Sequence, residues 1–273
     1  MSRMLDIQHS ASSDARVPLA FAEQVFAVAS TEVHKLLRDP TEVLTRSVQP
    51  TLWLLVFGQV FGRAHAIPTG GLSYVAFMAP GILAQSVLFM AIFYGIAVIW
   101  ERDLGTLHKL IVSPAYRSAL VVGKAVASGV RGLVQAIIVF LLALVLSIHP
   151  RVAFAPLFGL VVFVVLGSAL FSTFSLVIAC LVKTRERFMG IGQVLTMPLF
   201  FASNAIYPID MMPRWLQVLS RGNPLSYLVD GLRALMIPGA VSGFGIGVDF
   251  CVLLLVLLAL VITAARLYPT IVR

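Results

Sequence analysis

Residues 152–182 read VAFAPLFGLVVFVVLGSALFSTFSLVIACLV and contain no charged side chain. A helix needs about 20 consecutive apolar residues to cross the hydrocarbon core of a bilayer, and this run exceeds that length. Apolar runs of the same kind lie on both sides of it. The chain has 273 residues, of which 59% are hydrophobic and only 12% are charged, whereas a soluble domain carries about 25% charged residues. So little charge cannot cover a surface that faces water, and the sequence therefore predicts an integral membrane protein.

Six apolar runs predict six transmembrane helices, each bounded by charges, prolines or glycines. The uncharged run from Ala64 to Trp100 is too long for one upright helix, and Gly70-Gly71 marks a loop within it. The predicted spans are Ser47–Gly62, Ser73–Ile99, Gly132–Pro150, Val152–Val182, Phe188–Ile209 and Phe250–Ala265, the last extended upstream past Asp249. The predicted fold class is all-α integral membrane, with residues 1–43 as a cytoplasmic N-terminal segment and residues 44–273 as the six-span domain.

The basic residues are distributed unevenly over the loops between these spans. With the N-terminus placed in the cytoplasm, 15 of the 20 Lys and Arg residues lie on the cytoplasmic side and the other five on the outer side. Cytoplasmic loops are enriched in Lys and Arg, so both termini are predicted to face the cytoplasm. The same rule accounts for the net charge of +8, and no nucleic acid is expected as a partner.

Residues Phe21–Arg38 predict an amphipathic helix before the first span, with apolar and polar side chains on opposite faces. The apolar face holds Phe21, Val25, Ala29, Val33, Leu36 and Leu37, and the polar face holds Glu23, His34, Lys35 and Arg38. Asp39-Pro40 ends the helix, because the residue before a proline disfavours the helical conformation. Such a helix either lies along the membrane surface or packs on a partner protein.

Residues Trp100–Lys124 connect the second and third spans on the cytoplasmic side and read WERDLGTLHKLIVSPAYRSALVVGK. Thr106 caps a short predicted helix, and Ser113-Pro114 is the N-cap and first-turn pair that opens another. A plain connection needs no such pair of capped, charged half-helices. The segment is therefore predicted to dock a cytoplasmic protein, and a linker that lies on the membrane surface is the alternative.

Residues 207–248 separate the fifth and sixth spans on the outer side. Asn223-Pro224 predicts the start of a helix that Pro238-Gly239 ends, and Pro213 predicts the start of a shorter one. Neither helix is long enough to cross a bilayer, so both are predicted to be external helices that dip into the outer leaflet. The aromatic residues that suit this interface are Trp215 and Tyr227.

Sequence patterns for catalysis and for cofactor binding are absent. No G-x-x-x-x-G-K-[ST] phosphate loop occurs, because Gly123-Lys124 is followed by Ala125 and lacks the upstream glycine. The five histidines are scattered without an H-E-x-x-H pair, which predicts no metal site. Charges are expected only near span ends, as at Arg131 and Asp249, and not at mid-membrane, where an ion-coupled carrier needs them. The chain is therefore predicted to be no enzyme and to take any transport energy from a separate subunit.

Three stretches together resemble the type-2 permease family of ATP-binding-cassette exporters, in particular its daunorubicin-resistance-type and nodulation-type permeases. The resemblance covers residues 20–267, and its first stretch is the amphipathic helix that ends in Arg38-Asp39-Pro40. The second resembles the pattern E-R-x-x-G-T-x-x-x-L-x-x-[ST]-P and comprises Glu101, Arg102, Gly105, Thr106, Leu107, Leu110, Ser113 and Pro114. The third, on the outer side, comprises Asn204, Pro208, Asn223, Pro224, Asp230 and Arg233. His108 is a small departure, since a more ordinary polar or acidic residue is expected there.

The resemblance implies a mechanism. Two such permeases pair, as a homodimer or a heterodimer, and each is served by a cytoplasmic ATPase subunit that holds ATP and Mg²⁺, so the permease itself carries no cofactor. The segment from Glu101 to Pro114 would be the coupling helix, with Leu107 and Leu110 in a groove of the ATPase and with Glu101 and Arg102 paired to opposite charges. The N-terminal helix would lie on the same docking surface. For Arg102, simple anchoring of the topology is the alternative role, as it is for Lys109.

The predicted function is that of the permease subunit of an ATP-driven exporter in the bacterial inner membrane. A hydrophobic or amphipathic cargo, such as a drug-like molecule or a lipid, suits the apolar spans, and a polysaccharide or lipid-linked glycan is the alternative cargo within the family. A stand-alone secondary carrier and a non-transporting assembly factor are the alternatives from other classes. Ion-driven transport by the purified chain alone would favour the carrier.

Overall fold

The computed structural model describes residues 22–27, 29–31, 33–34, 38, 41–64, 67–104, 117–182 and 184–267. Within these ranges every regular element is a helix. The described positions of the predicted amphipathic helix are helical too, and Val25, Ala29 and Val33 are less exposed there than Glu23, His34 and Arg38. The periodicity expected from the sequence is therefore present at these positions.

The helices follow one another with short connections. Helix α1 (Thr41–Leu52) continues through a π-helical turn (Trp53–Phe57) into α2 (Gly58–Ala64). Long helices follow: α3 (Tyr74–Asp103), α4 (Arg117–Val145) and α5 (Phe154–Leu181). The remaining helices are α6 (Arg185–Phe201), α7 (Arg214–Gly222), α8 (Pro224–Met236) and α9 (Ile246–Leu267), with a short 3₁₀ turn at Ile209–Met211 before α7.

Helix α5 lies at the centre of the bundle and packs against α3, α4, α8 and α9. Its sequence is apolar on all sides, which is typical of a helix buried within a bundle or a membrane. Small residues let its neighbours approach it closely. A Cβ atom on Gly132 of α4 would collide with the Ser168 hydroxyl of α5, and one on Gly95 of α3 would collide with the Ser175 hydroxyl.

Four of the helices in the described ranges are long and apolar enough to cross a membrane: Tyr74–Trp100, Val121–Val145, Phe154–Leu181 and Ile246–Leu267. They overlap the second, third, fourth and sixth predicted spans. The first predicted span coincides with α1 and α2, which the π-helical turn divides. The fifth coincides with α6, whose 17 residues include Pro198 and charged residues in the first turn. The count of six spans therefore stays a prediction.

Helix α4 corrects the expectation that the spans carry no internal charge. It begins at Arg117 rather than near Gly132, so Lys124 and Arg131 lie inside the candidate span Val121–Val145. Both side chains are buried, with exposed fractions of 4% and 7%. The prediction failed because it used charged residues as helix boundaries, whereas these two lie on the same buried face as Ser128.

Candidate functional site

The predicted coupling segment begins at the end of α3. Glu101 and Arg102 belong to the last turn of this helix, but their side chains lie outside the described part of the structure. The other predicted coupling residues lie outside the described residues altogether, and they are Gly105, Thr106, Leu107, Leu110, Ser113 and Pro114. Their role stays a prediction.

An ion pair holds this end of α3 to the start of α6. Arg185 Nη2 lies 2.9 Å from Asp103 Oδ2, and Arg185 Nε donates a hydrogen bond of 3.0 Å to the same oxygen. The guanidinium carbon also lies 3.7 Å from the centre of the Trp100 ring. Sequence reasoning missed this contact, because the paired residues are 82 positions apart. Arg185 therefore fixes the direction in which α3 enters the predicted coupling segment.

At the opposite end of the bundle, Asn223 caps α8 and connects it to α6. Asn223 Oδ1 accepts a hydrogen bond of 3.0 Å from the Leu225 backbone N–H, and Asn223 Nδ2 donates one of 2.6 Å to the Leu199 carbonyl oxygen. Pro224 occupies the first helical position, where its missing N–H costs nothing. The start of α8 predicted from the Asn-Pro pair is confirmed.

Helix α8 differs from the expected surface helix. Its residues Leu225, Leu228, Val229, Leu232 and Met236 are fully buried, and the helix packs against α3, α5 and α9. Helix α7 is the exposed one. On it Trp215, Val218 and Leu219 are 66%, 70% and 55% exposed.

Helix α8 also carries a buried guanidinium that connects three parts of the chain. Arg233 Nη2 donates a hydrogen bond of 2.7 Å to the Asn204 carbonyl oxygen, and Arg233 Nε donates one of 3.3 Å to the Phe77 carbonyl oxygen. The guanidinium carbon lies 3.9 Å from the centre of the Phe77 ring. Burial lowers the pKa of Arg233 to about 10, while Asp230 opposes this shift. The side chain therefore stays charged at neutral pH.

Asp230, one turn before Arg233, orders the loop between α8 and α9. Asp230 Oδ2 accepts hydrogen bonds of 2.9 Å from the Ser242 hydroxyl and 3.0 Å from the Phe244 backbone N–H. The Ser242 oxygen also lies 2.8 Å from Asp249 Oδ2. Sequence reasoning identified Asp230 but missed Ser242, since no local pattern marks a loop serine as the partner of two distant carboxyl groups.

These residues surround a charged cavity of about 520 Å³ between the end of α3, the α6–α7 connection and the α8–α9 loop. Four of the six residues predicted for the third stretch line it: Asn204, Pro208, Asp230 and Arg233. The other two, Asn223 and Pro224, act as the start of α8 instead. The structure therefore brings most of this stretch to one place.

A second cavity, of about 290 Å³, lies between α1, α3 and α6. Apolar side chains form most of its wall, among them Phe89, Ile92, Phe188 and Met197. Polar groups are few and come from Gln49, Gln193 and Thr196. We call this cavity the amide groove. Its apolar wall with a few placed polar groups is the usual composition of a site for a small organic ligand.

Long apolar helices around a tightly packed centre define the chain as a helical integral membrane protein. The chain matches the ABC-2 type transporter family over residues 23–237. It therefore belongs to this family, as a permease that forms the membrane subunit of an ABC transporter. The resemblance inferred from the three sequence stretches is confirmed.

Individual relatives agree with this assignment. The chain is 30% identical over 219 residues to the putative transport permease ycf38 of Cyanophora paradoxa, which covers 79% of this chain and 74% of the relative. It is 26% identical to the daunorubicin resistance ABC transporter permease protein DrrB1 of Streptomyces coeruleorubidus, over 78% of this chain and 74% of the relative. It is 25% identical to the inner membrane transport permease YadH of Escherichia coli K12, over 76% and 80%.

Proposed function

We propose that this chain is the permease of an ATP-driven exporter that moves a hydrophobic or amphipathic cargo out of the cytoplasm or the inner leaflet. The amide groove is the observation that carries the choice of cargo, because its apolar wall would cover a hydrophobic body while Gln49, Gln193 and Thr196 orient one polar end. The similarity to a daunorubicin resistance permease supports export of a drug-like molecule.

The energy for this transport comes from a separate cytoplasmic ATPase, as in the ABC transporter family. We propose that two ATPase subunits serve two permease copies, and that ATP and Mg²⁺ bind on the ATPases. Each ATPase docks on the segment from Glu101 to Pro114. The described ion pair between Asp103 and Arg185 supports this assignment, because it immobilises the helix from which the segment starts.

In the membrane, the permease has both termini in the cytoplasm of a bacterial cell, and α1–α2 and α6 complete six spans with the four long helices. The excess of basic residues near one end supports this orientation. Helix α7 then lies at the outer surface with Trp215 in the outer leaflet. Its amphipathic character, with exposed apolar residues and arginines at both ends, is typical of an interfacial helix.

Reconstitution into proteoliposomes tests the proposal. The chain is purified alone and together with an ABC ATPase encoded beside it, and uptake of a fluorescent amphipathic drug such as daunorubicin is measured with and without ATP. We expect uptake that needs both the ATPase and ATP. Uptake by the chain alone under an ion gradient would contradict the proposal and identify a secondary carrier.

The amide groove is tested in the same assay. Substitution of Thr196 is avoided because its hydroxyl bonds within α6, and Gln193→Leu is used instead. We expect this variant to change the relative uptake of polar and apolar drug analogues while ATPase recruitment stays normal. Unchanged selectivity would remove the groove from the cargo path.

A further inference from the structure

The charged cavity beside α8 is lined by two basic and two acidic residues. Arg221 and Arg233 supply the positive charges, and Asp210 and Asp230 supply the negative ones. Arg221 and Asp210 are exposed, while Asp230 and Arg233 are buried. A ligand with one kind of charge would meet repulsion from the groups of the same sign, so the wall suits a ligand that carries both.

The positive side of the cavity is rigid. Arg233 gives two of its five N–H groups to the backbone carbonyls of Asn204 and Phe77, and its plane lies over the Phe77 ring. A guanidinium held in this way binds phosphate or carboxylate oxygens with little further loss of side-chain freedom. Arg221 at the rim provides a second cation for the same group.

The negative side contains an acceptor that has no donor within the described structure. Asn204 is only 4% exposed, it lines the cavity, and its side-chain oxygen has no hydrogen-bond partner there. Leaving a buried polar atom unpaired is costly. An ammonium group would satisfy this oxygen and would also face the carboxylate of Asp230, whose position is fixed by Ser242 and Phe244.

We propose that this cavity binds a zwitterionic head group in which an ammonium and a phosphodiester lie close together. The phosphodiester contacts Arg221 and Arg233, and the ammonium contacts the Asn204 oxygen and the carboxylates of Asp210 and Asp230. A volume of about 520 Å³ falls within the usual range for small-ligand sites, roughly 300–1,000 Å³. The inference adds a site to the proposed exporter, and it rests on that function only for the side of the membrane that the cavity faces.

The experiment measures binding to the full-length chain in a lipid-free detergent by calorimetric titration. The probe is glycerophosphoethanolamine, and glycerophosphoglycerol is the matched compound that keeps the phosphodiester but lacks the ammonium. We expect saturable binding of the first and binding at least about tenfold weaker of the second, since a hydrogen bond between charged groups is lost. No saturable binding, or equal binding of the two compounds, would overturn the proposal.

Rim variants keep the test independent of folding. Arg221→Gln and Asp210→Asn are changes at exposed positions, and each should weaken the binding of glycerophosphoethanolamine about tenfold. Arg214→Gln is the control, because this exposed arginine is on the same helix as Arg221 but does not line the cavity. Equal affinity in both rim variants and the wild type would refute the site, while the export assay would be unaffected by that result.

The source of the head group is decided in nanodiscs. If the natural ligand is a lipid, phosphatidylethanolamine nanodiscs will lower the apparent affinity for the soluble probe relative to phosphatidylglycerol nanodiscs. If the ligand is a soluble amine phosphodiester, the two affinities will agree. Because no ATPase is present, this binding result is separate from failure of the proposed export function.

Discussion

Arg185 at the start of α6 holds Asp103 at the end of α3 with a 2.9 Å contact between Nη2 and Oδ2. Both side chains are about one third exposed, at 33% and 35%. An exposed ion pair of this kind contributes about 1 kcal/mol or less to folding stability. Its importance is therefore geometric, since it fixes the end of the helix from which the predicted coupling segment leaves.

Arg185→Gln should accordingly leave the unfolding temperature in detergent nearly unchanged and lower the ATPase activity of the assembled transporter. The measurement is cargo-stimulated ATP hydrolysis at matched expression. Arg187→Gln is the control, because Arg187 is an exposed arginine in the same turn of α6. Equal activity of the Arg185 and Arg187 variants would contradict a positioning role for the pair.

Glu101→Ala should weaken docking of the ATPase strongly. Acidic residues contribute little to topology, so we expect Glu101 to pair with a basic group on the ATPase or on its own chain. Loss of one partner of a buried charge pair costs about 2–5 kcal/mol, and the lower value corresponds to roughly thirtyfold weaker docking. The measurement is co-purification of the ATPase with the permease.

Lys109→Ala is the comparison for Glu101→Ala. If Lys109 only anchors the topology, its removal should change recovery of the ATPase little. Equal recovery and equal export for the wild type and the Glu101 variant, at matched abundance in the membrane, would remove the coupling role of Glu101.

Asn223 allows the cap of α8 to be separated from its connection to α6. Asn223→Ala removes both hydrogen bonds and should lower the free energy of unfolding by about 2 kcal/mol. Asn223→Ser keeps a good N-cap but cannot reach the Leu199 carbonyl, so its loss should be about half as large. Chemical denaturation in detergent measures both. The same loss in the two variants would show that the cap itself contributes little.

The contrast between Asn223 and Ser242 shows what the sequence can predict in this fold. The start of α8 was predictable because an N-cap is a local arrangement of adjacent residues, here Asn223 and Pro224. Ser242 was not, because its partners Asp230 and Asp249 are 12 and 7 positions away and meet it only after α8 and α9 have packed.

Arg131 shows a different limit. Apolar runs give the number and approximate position of long helices, but their ends are drawn wherever a charge occurs. A long basic side chain can be buried along a helix face with its polar end satisfied, and Arg131 is 7% exposed within α4. The composition of a run therefore predicts membrane helices well and their boundaries poorly.

Gly132 should be intolerant of a larger side chain. A Cβ atom there would collide with the Ser168 hydroxyl of α5, and overpacking of this kind costs about 1–3 kcal/mol. Gly132→Ala should therefore lower the unfolding temperature. Gly190→Ala is the control, since nothing lies within 4 Å of a Cβ at that position. Combining Gly132→Ala with Ser168→Ala removes the colliding oxygen and should restore part of the loss. No recovery in the double variant would contradict this contact as the cause.

The proposed orientation is tested by cysteine labelling of intact cells. The native Cys180 is buried and Cys251 is exposed, so both are first replaced by alanine. Arg221→Cys lies on exposed α7 and should react with a membrane-impermeant maleimide from outside, whereas Lys109→Cys should react only after the cells are permeabilised. The physical basis is the excess of basic residues on the predicted cytoplasmic side, which opposes translocation of those loops. Labelling of position 109 but not position 221 in intact cells would invert the topology, and an ATPase in the cytoplasm could then no longer reach the segment that follows Glu101.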